Sequence, residues 1–592
     1  MRLSRMVRHG AAFSLLVVAL SALARGADRA QSSAAKTDDS TSPAAKLVRE
    51  ALEAETVGDA ERRAAYLADA LKADPDYAPA HWHSGEVRVG KAWQTVEASA
   101  DAATRAGKVA QYRVKRDHVA NTALGQIALA QWCASTGLND EERTHLIFAT
   151  QLQPTKKQSN EIIRKLGLVR RNGVLMTAAE SENIAAEQVC SHHDFNQWKK
   201  RFSDLQNELN FRKSSRADAL VRLRSIRDPE AIPALEAAFA TSDEEVGGAV
   251  IDALAAMQEQ KAAESLIRFA VFAGQDSVRQ AAATALGQRS PYAYVPTLIA
   301  TLEAPVQVEF QTDFSRGFAW HRLVLFQEGP LVDQRFVRID AAHEEIVYSR
   351  NRQSFMRSQI VDDKTVHDDA ARAEAELTAN ADRNRLNISI TTALRTATGK
   401  ELGDDFKLWW DWWLNENEIY QSPYKQVYEK TSIDTSPVRI KYVSCFPAGT
   451  PVETSTGSLP IEQIKPGDCV LTQEPDTGEL AYKPVMAVTL RPASPLIEVR
   501  TAKETIRATR GHPFWVSGIG WQMAKELKAG QWLHTTAGPV QIESAEQQGE
   551  AECHNLVVAD FNSYFVGQQR ILVHDNNLRQ VTTASVPGLV SD

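Results

Sequence analysis

Four short clusters in the last quarter of the chain carry residues able to act on a peptide bond. They are Cys445-Phe446-Pro447-Ala448-Gly449-Thr450, Thr509-Arg510-Gly511-His512, Tyr564-Phe565-Val566-Gly567 and Leu572-Val573-His574-Asp575-Asn576. A cysteine thiol can attack the carbonyl of the residue before it, here Ser444, and convert that amide into a thioester. A thioester hydrolyses far more readily than an amide, so one hard step becomes two easier ones. The shift also needs a proton donor for the departing amide nitrogen and a polar site for the tetrahedral oxyanion.

Such a constellation needs a rigid frame, and the sequence around it reads as β. Short alternating runs such as Thr450 to Thr454, Cys469 to Thr472 and Leu496 to Arg500 are punctuated by Gly and Pro. An internal duplication runs through them. Ile464, Pro466, Gly467, Asp468, Cys469 and Val470 correspond to Leu527, Ala529, Gly530, Gln531, Trp532 and Leu533, at a constant offset of 63 residues.

Together the four clusters resemble the Hint (hedgehog/intein) family, in particular its pretoxin-type members, over residues 445–577. Members of this family cut or splice the peptide bond at their own first residue. The resemblance implies an all-β horseshoe with pseudo-twofold symmetry, which the duplication fits. It also implies roles: Cys445 as nucleophile, His512 acting on the Cys445 nitrogen, and Thr509 orienting the scissile region. His574 and Asn576 would be the helper and the cyclising residue of the C-terminal step. Three departures from the family pattern bear on that step. Asp575 stands between His574 and Asn576, and Asn562 occupies a position that usually carries His. Asn577, which follows, offers neither hydroxyl nor thiol to accept an acyl group. An asparagine cannot shuttle a proton as imidazole can. The expected activity is therefore a single-turnover autocatalytic cut after Ser444, freeing residues 25–444, without splicing. The alternative is a catalytically silent Hint fold on an exported helical-repeat scaffold for protein–protein interaction.

The chain of 592 residues is too long for one core and has an ordinary globular composition, 43% hydrophobic and 24% charged. Arg2, Arg5 and Arg8 precede an apolar run from Ala11 to Leu23, and Ala22-Leu23-Ala24 forms a small-residue cleavage site. Residues 1–24 thus read as a secretory signal, predicting export to a periplasmic, cell-surface or extracellular location. Residues 25–45 read as a linker. No later stretch is apolar for long enough to span a bilayer. A net charge of −8 argues against nucleic acid as a general partner. In an oxidising compartment, two disulfides and one free thiol is the simplest arithmetic for five cysteines.

Residues 46–185 carry helical periodicity. The stretch Asp74-Pro75-Asp76-Tyr77-Ala78-Pro79-Ala80-His81 resembles the turn of a tetratricopeptide (TPR) repeat. Residues 186–305 contain a clearer repeat, in which Val246 and Leu254 recur as Val278 and Leu286, displaced by 32 residues. This resembles HEAT repeats, whose stacked helices offer a surface for protein partners. Residues 306–440 mix strand and helix, and their helical stretch, about 366–420, ends at Trp409-Trp410-Asp411-Trp412-Trp413, read as a core staple or docking face. No triad or metal motif marks that segment. His81-Trp82-His83 and His192-His193-Asp194 lack a second ligand cluster, so neither a metal nor a cofactor is expected. The expected architecture is multidomain: a TPR/HEAT-like α-helical part, a small mixed α/β middle, an all-β horseshoe at 445–577 and a short tail, 578–592.

Overall fold

The structure, a computed structural model, describes residues 42–152, 154–171, 174–211, 215–313, 320–341, 343–348, 354–359, 363–417, 426–430, 444–577 and 582–590. The residues read as an export signal lie outside that set, as do most residues of the connector before Ser444. The described residues divide into two compact units, one within 190–415 and 426–430, the other within 42–189, 416–417 and 444–590.

In the first unit, successive helices pack together so that each buries apolar residues in a shared core. Asp243 starts the helix Glu244–Ala255 by accepting the Val246 N–H at 3.0 Å. Val246 and Leu254, with their counterparts Val278 and Leu286, are buried in one continuous core. Gly247 permits the close approach of the next repeat, because a Cβ there would lie 2.7 Å from Val278 Cγ2. The helix Phe406–Glu416 delivers Trp409, Trp410 and Trp413 into the same core. The Trp409 indole N–H donates to the Gly403 carbonyl at 2.9 Å. The tryptophan cluster is therefore packing, with the polar handle satisfied at Trp409 but the Trp410 and Trp412 indole nitrogens buried without a hydrogen-bond partner. Beyond the helices lies a four-stranded sheet in the order Gln426–Lys430, Val332–Ala341, Trp320–Gln327, Gln307–Asp313, with the first strand parallel to the second.

The second unit joins the N-terminal helices to the C-terminal β-module. Ser42 accepts the Ala45 N–H at 3.1 Å and Pro43 fills the first turn, so the helix Pro43–Thr56 begins just inside the stretch read as linker. Pro79 opens the helix Ala78–His83, but that helix is only six residues long. Gly85 and Gly90, both with positive φ, then turn the chain into the hairpin Glu86–Val89 and Ala92–Thr95. Helices resume from Val96–Ala106 to Lys156–Lys165.

In the β-module, the strand Leu480–Thr501 pairs along most of its length with Val540–Val558, bending at several bulges. The remaining strands link the two into a path that returns on itself. The duplication is visible in the backbone. Short 3₁₀ turns at Ile461–Gln463 and Ala524–Glu526 lead to Gly467 and Gly530, with φ of 91° and 89°. Each of these glycines donates its N–H to a following strand, at Val485 and Ile542, both at 2.8 Å.

None of the five cysteines forms a disulfide, so the two-pair arithmetic is not realised. Cys469 lies with its thiol 3.8 Å from a Glu141 carboxylate oxygen, whereas Cys445 and Cys553 pack around Leu496.

Candidate functional site

The first residues of the β-module enter as an added strand. Phe446 and Pro447 pair antiparallel with His554 and Cys553, which seats Ser444 and Cys445 beside Asn555. The strand Thr505–Thr509 pairs with Leu496–Arg500 and ends at the same place. The Thr509 hydroxyl accepts the Cys445 N–H at 2.9 Å, and the Thr509 N–H donates to the Cys445 carbonyl at 2.9 Å. On the other side of the same peptide bond, Asn555 Nδ2 donates to the Ser444 carbonyl oxygen.

The orientation of the Asn555 amide is set by its oxygen. Asn555 Oδ1 accepts the Leu556 N–H at 2.7 Å and the Tyr564 hydroxyl at 2.6 Å, which leaves its NH₂ group facing Ser444. Burial, with smaller contributions from Cys445 and Asp575, pushes the Tyr564 phenol well above its ordinary range. It therefore stays protonated and donates. Ser444, Cys445, Thr509, His512, Asn555 and Tyr564 are all buried.

His512 is reached through a tight turn, its N–H donating to the Thr509 carbonyl at 3.0 Å. Its imidazole packs against the Phe446 ring with centroids 4.0 Å apart. It is thus held beside the residue that follows Cys445, while the hydrogen bond on the Cys445 nitrogen goes to Thr509.

The C-terminal cluster reaches the same strand one residue along. The Asn576 N–H donates to the Leu556 carbonyl at 2.8 Å, and its side-chain amide to the Thr489 hydroxyl at 3.3 Å. His574 Nδ1 lies 2.9 Å from the Asp575 carbonyl. Asp575 is fully buried, and its carboxylate accepts the N–H groups of Val558 at 2.7 Å and Asn577 at 2.8 Å. Burial outweighs those hydrogen bonds and pushes its pKa up to about 7. Asn562 takes a left-handed conformation, φ 53°, which asparagine tolerates better than most residues. Its carbonyl accepts the Asp575 N–H at 3.0 Å and its Oδ1 accepts the Asn577 amide at 2.9 Å. The two departures from the family pattern at 562 and 575 thus bind each other into one turn.

Of the residues singled out from sequence, Cys445 and Thr509 are joined directly, His512 sits behind Phe446, Asn576 lies at the neighbouring strand position, and His574 pairs with Ser563 and packs against Trp521. Sequence reasoning missed Asn555. The only available signal was a lone amide in the run His554-Asn555-Leu556-Val557-Val558.

Neither histidine pair assembles a metal site. His81 faces Glu86 and stacks on Trp93, while His193 bonds Gln197 at 2.7 Å. No group of three or more His, Cys, Asp and Glu among the described residues is placed to hold a metal ion.

Residues 451–576 match the family described as the pretoxin HINT domain. The C-terminal module is a pretoxin-type Hint domain. Solved structures similar to it include an intein-like domain from Clostridium thermocellum, at 34% identity over 22% of this chain and 99% of that one, with a TM-score of 0.22. A DnaB intein from Synechocystis matches at 20% identity over 22% of this chain and 99% of its own length, with a TM-score of 0.21. The gp41-1 intein matches at 23% identity over the same shares, with a TM-score of 0.20. Upstream of the Hint domain, residues 210–286 match the family of HEAT repeats. No curated protein matches the chain. No helix among the described residues is long and apolar enough to cross a membrane.

Proposed function

We propose that the Hint domain cuts the peptide bond between Ser444 and Cys445. One observation carries this reading: the two ends of that single bond are held by different side chains. Asn555 Nδ2 donates to the Ser444 oxygen, and Thr509 Oγ1 accepts the Cys445 N–H. Cys445 Sγ gives up its proton and bonds the Ser444 carbonyl carbon, and negative charge gathers on the oxygen facing Asn555. A preoriented donor at that point is worth more as the charge develops than in the resting state. The C–N bond then breaks, and the Cys445 nitrogen takes up a proton to leave as an amine. Thr509 supplies the polar contact at that nitrogen, and His512, behind Phe446, is the nearby imidazole for proton transfer. Water attacking the thioester gives a carboxylate at Ser444 and restores the thiol.

Splicing is not part of this reading. Asn577 brings no hydroxyl or thiol, and the Asn576 amide is engaged with Thr489. A second reading, a silent domain, draws on the complete burial of Cys445, which keeps water from any thioester until the site opens. Hydroxylamine separates the two readings. Cleavage through a thioester gives a fragment ending in a Ser444 hydroxamate from the wild-type chain and none from Cys445→Ala. A silent domain gives no fragment from either. Export, read from residues 1–24, and protein binding by the HEAT repeats complete the proposal. The pretoxin type of the Hint domain supports the first, and the stacked helices support the second.

A further inference from the structure

We propose that the cut is not a release: the Hint domain retains the N-terminal helices as a non-covalent partner after the Ser444–Cys445 bond is broken. The inference rests on the proposed cut for its biological meaning, but the contact that carries it is independent of any chemistry. Residues 43–151 do not merely touch the Hint domain. They share its core.

Val87 and Val96 belong to the same buried cluster as Leu471, Trp515, Phe565 and Leu572 of the Hint domain. Beside it lies a polar cluster sealed from solvent. Glu55 accepts from Arg63 Nε at 2.7 Å and from the Ser517 hydroxyl at 2.8 Å, and meets His534 Nδ1 at 2.5 Å. The other His534 nitrogen lies 2.7 Å from Gln473 Oε1. Burial alone would raise the Glu55 carboxyl, but His534 and Arg63 outweigh it and hold it well below the usual carboxylate range. Arg63 pairs with Glu55 from within the helices, while Ser517 and His534 of the Hint domain supply the other contacts to the same carboxylate. Separating the two parts would leave these buried polar groups without their partners, which is unfavourable.

A second patch repeats the logic. Asp468 accepts from Arg113 at 2.9 Å and Arg116 at 3.1 Å, and Lys465 pairs with Asp117 at 2.9 Å. The fit is close enough to need missing side chains. A Cβ on Gly467 would fall 1.8 Å from the Tyr112 hydroxyl, and one on Gly58 would fall 2.1 Å from the Trp532 ring. An interface that is apolar at its centre and paired in charge has the character of a permanent complex.

The segment after the Hint motifs is held in the same way. The hairpin Ala584–Val586 and Leu589–Val590 puts Val586 into a core with Val48, Leu52 and Leu67. The consequence follows from chain order. Before the cut, residues 190–440 are covalently joined to this complex at both ends; afterwards the covalent link runs through the N-terminal helices alone. The cut opens a loop.

The test separates docking from self-cleavage. A recognition sequence for a site-specific protease is placed within 431–443 of the full chain carrying Cys445→Ala, and the purified protein is cut with that protease. Native size-exclusion chromatography is then compared with denaturing electrophoresis. The proposal expects two bands on the denaturing gel and one native peak containing both fragments. Two native peaks would overturn it, whether or not the wild-type chain cleaves itself. The double variant Arg113→Glu, Arg116→Glu keeps the proposal exposed to a second failure. After cutting, its fragments should dissociate on the order of 100-fold more readily, while the uncut chain remains a single folded species. Unchanged retention would mean that these contacts do not hold the pieces together.

Discussion

The two ends of the Hint domain meet the same strand at neighbouring residues and are prepared differently. At the N-terminal end, Asn555 and Thr509 grip opposite sides of one peptide bond. At the C-terminal end, the Asn576 side chain is tied to Thr489, and Asp575 is spent on the backbone of Val558 and Asn577. One end is arranged around the bond proposed to break, the other around a hydrogen-bonded turn. A family resemblance alone predicts chemistry at both. The geometry supports it at one.

The largest expected effect comes from Asn555→Ala, which removes the donor to the Ser444 oxygen. Formation of the fragment ending at Ser444 should slow by about 100- to 1,000-fold, read as an initial rate by mass spectrometry on protein whose melting curve remains cooperative. An unchanged rate would remove Asn555 from the account. Thr509→Val keeps the shape but deletes the acceptor for the Cys445 N–H, and should slow the same step by roughly 10- to 100-fold.

Asp575 gives a smaller, pH-dependent effect. Its folded pKa is raised to about 7, so its contribution to stability is complete below the usual carboxylate range and is lost as pH rises through about 7. The wild-type Tm should therefore fall more steeply between pH 5 and 8 than that of Asp575→Asn, and parallel curves would contradict the burial argument. The smallest effect is expected from Asn576→Ala. It should leave the Ser444 cleavage rate within about twofold and remove no product. A large loss would show that the two ends act together.

What was legible in sequence is what repeats over short distances. Val246, Leu254, Val278 and Leu286 announce stacked helices because each position is buried by its nearest repeat. The 63-residue duplication is legible for the same reason, since Gly467 and Gly530 make the same left-handed turn before a strand. The Cys445, Thr509 and His512 positions are those that the resemblance to the Hint family implies. Asn555 did not, because one amide in an apolar strand has no periodic partner, and its meaning depends on Ser444, 111 residues away. The docking of the helices is harder still. The Arg113–Asp468 pair spans 355 residues, and nothing local to either residue marks the other.

An intact-mass time course of the purified full chain, with and without dithiothreitol and beside Cys445→Ala, tests the central claim most directly. The account predicts a fragment ending at Ser444 that accumulates faster with thiol and is absent from the variant. A full-length mass that stays unchanged under both conditions would contradict it and leave the Hint domain as a structural clamp on the N-terminal helices.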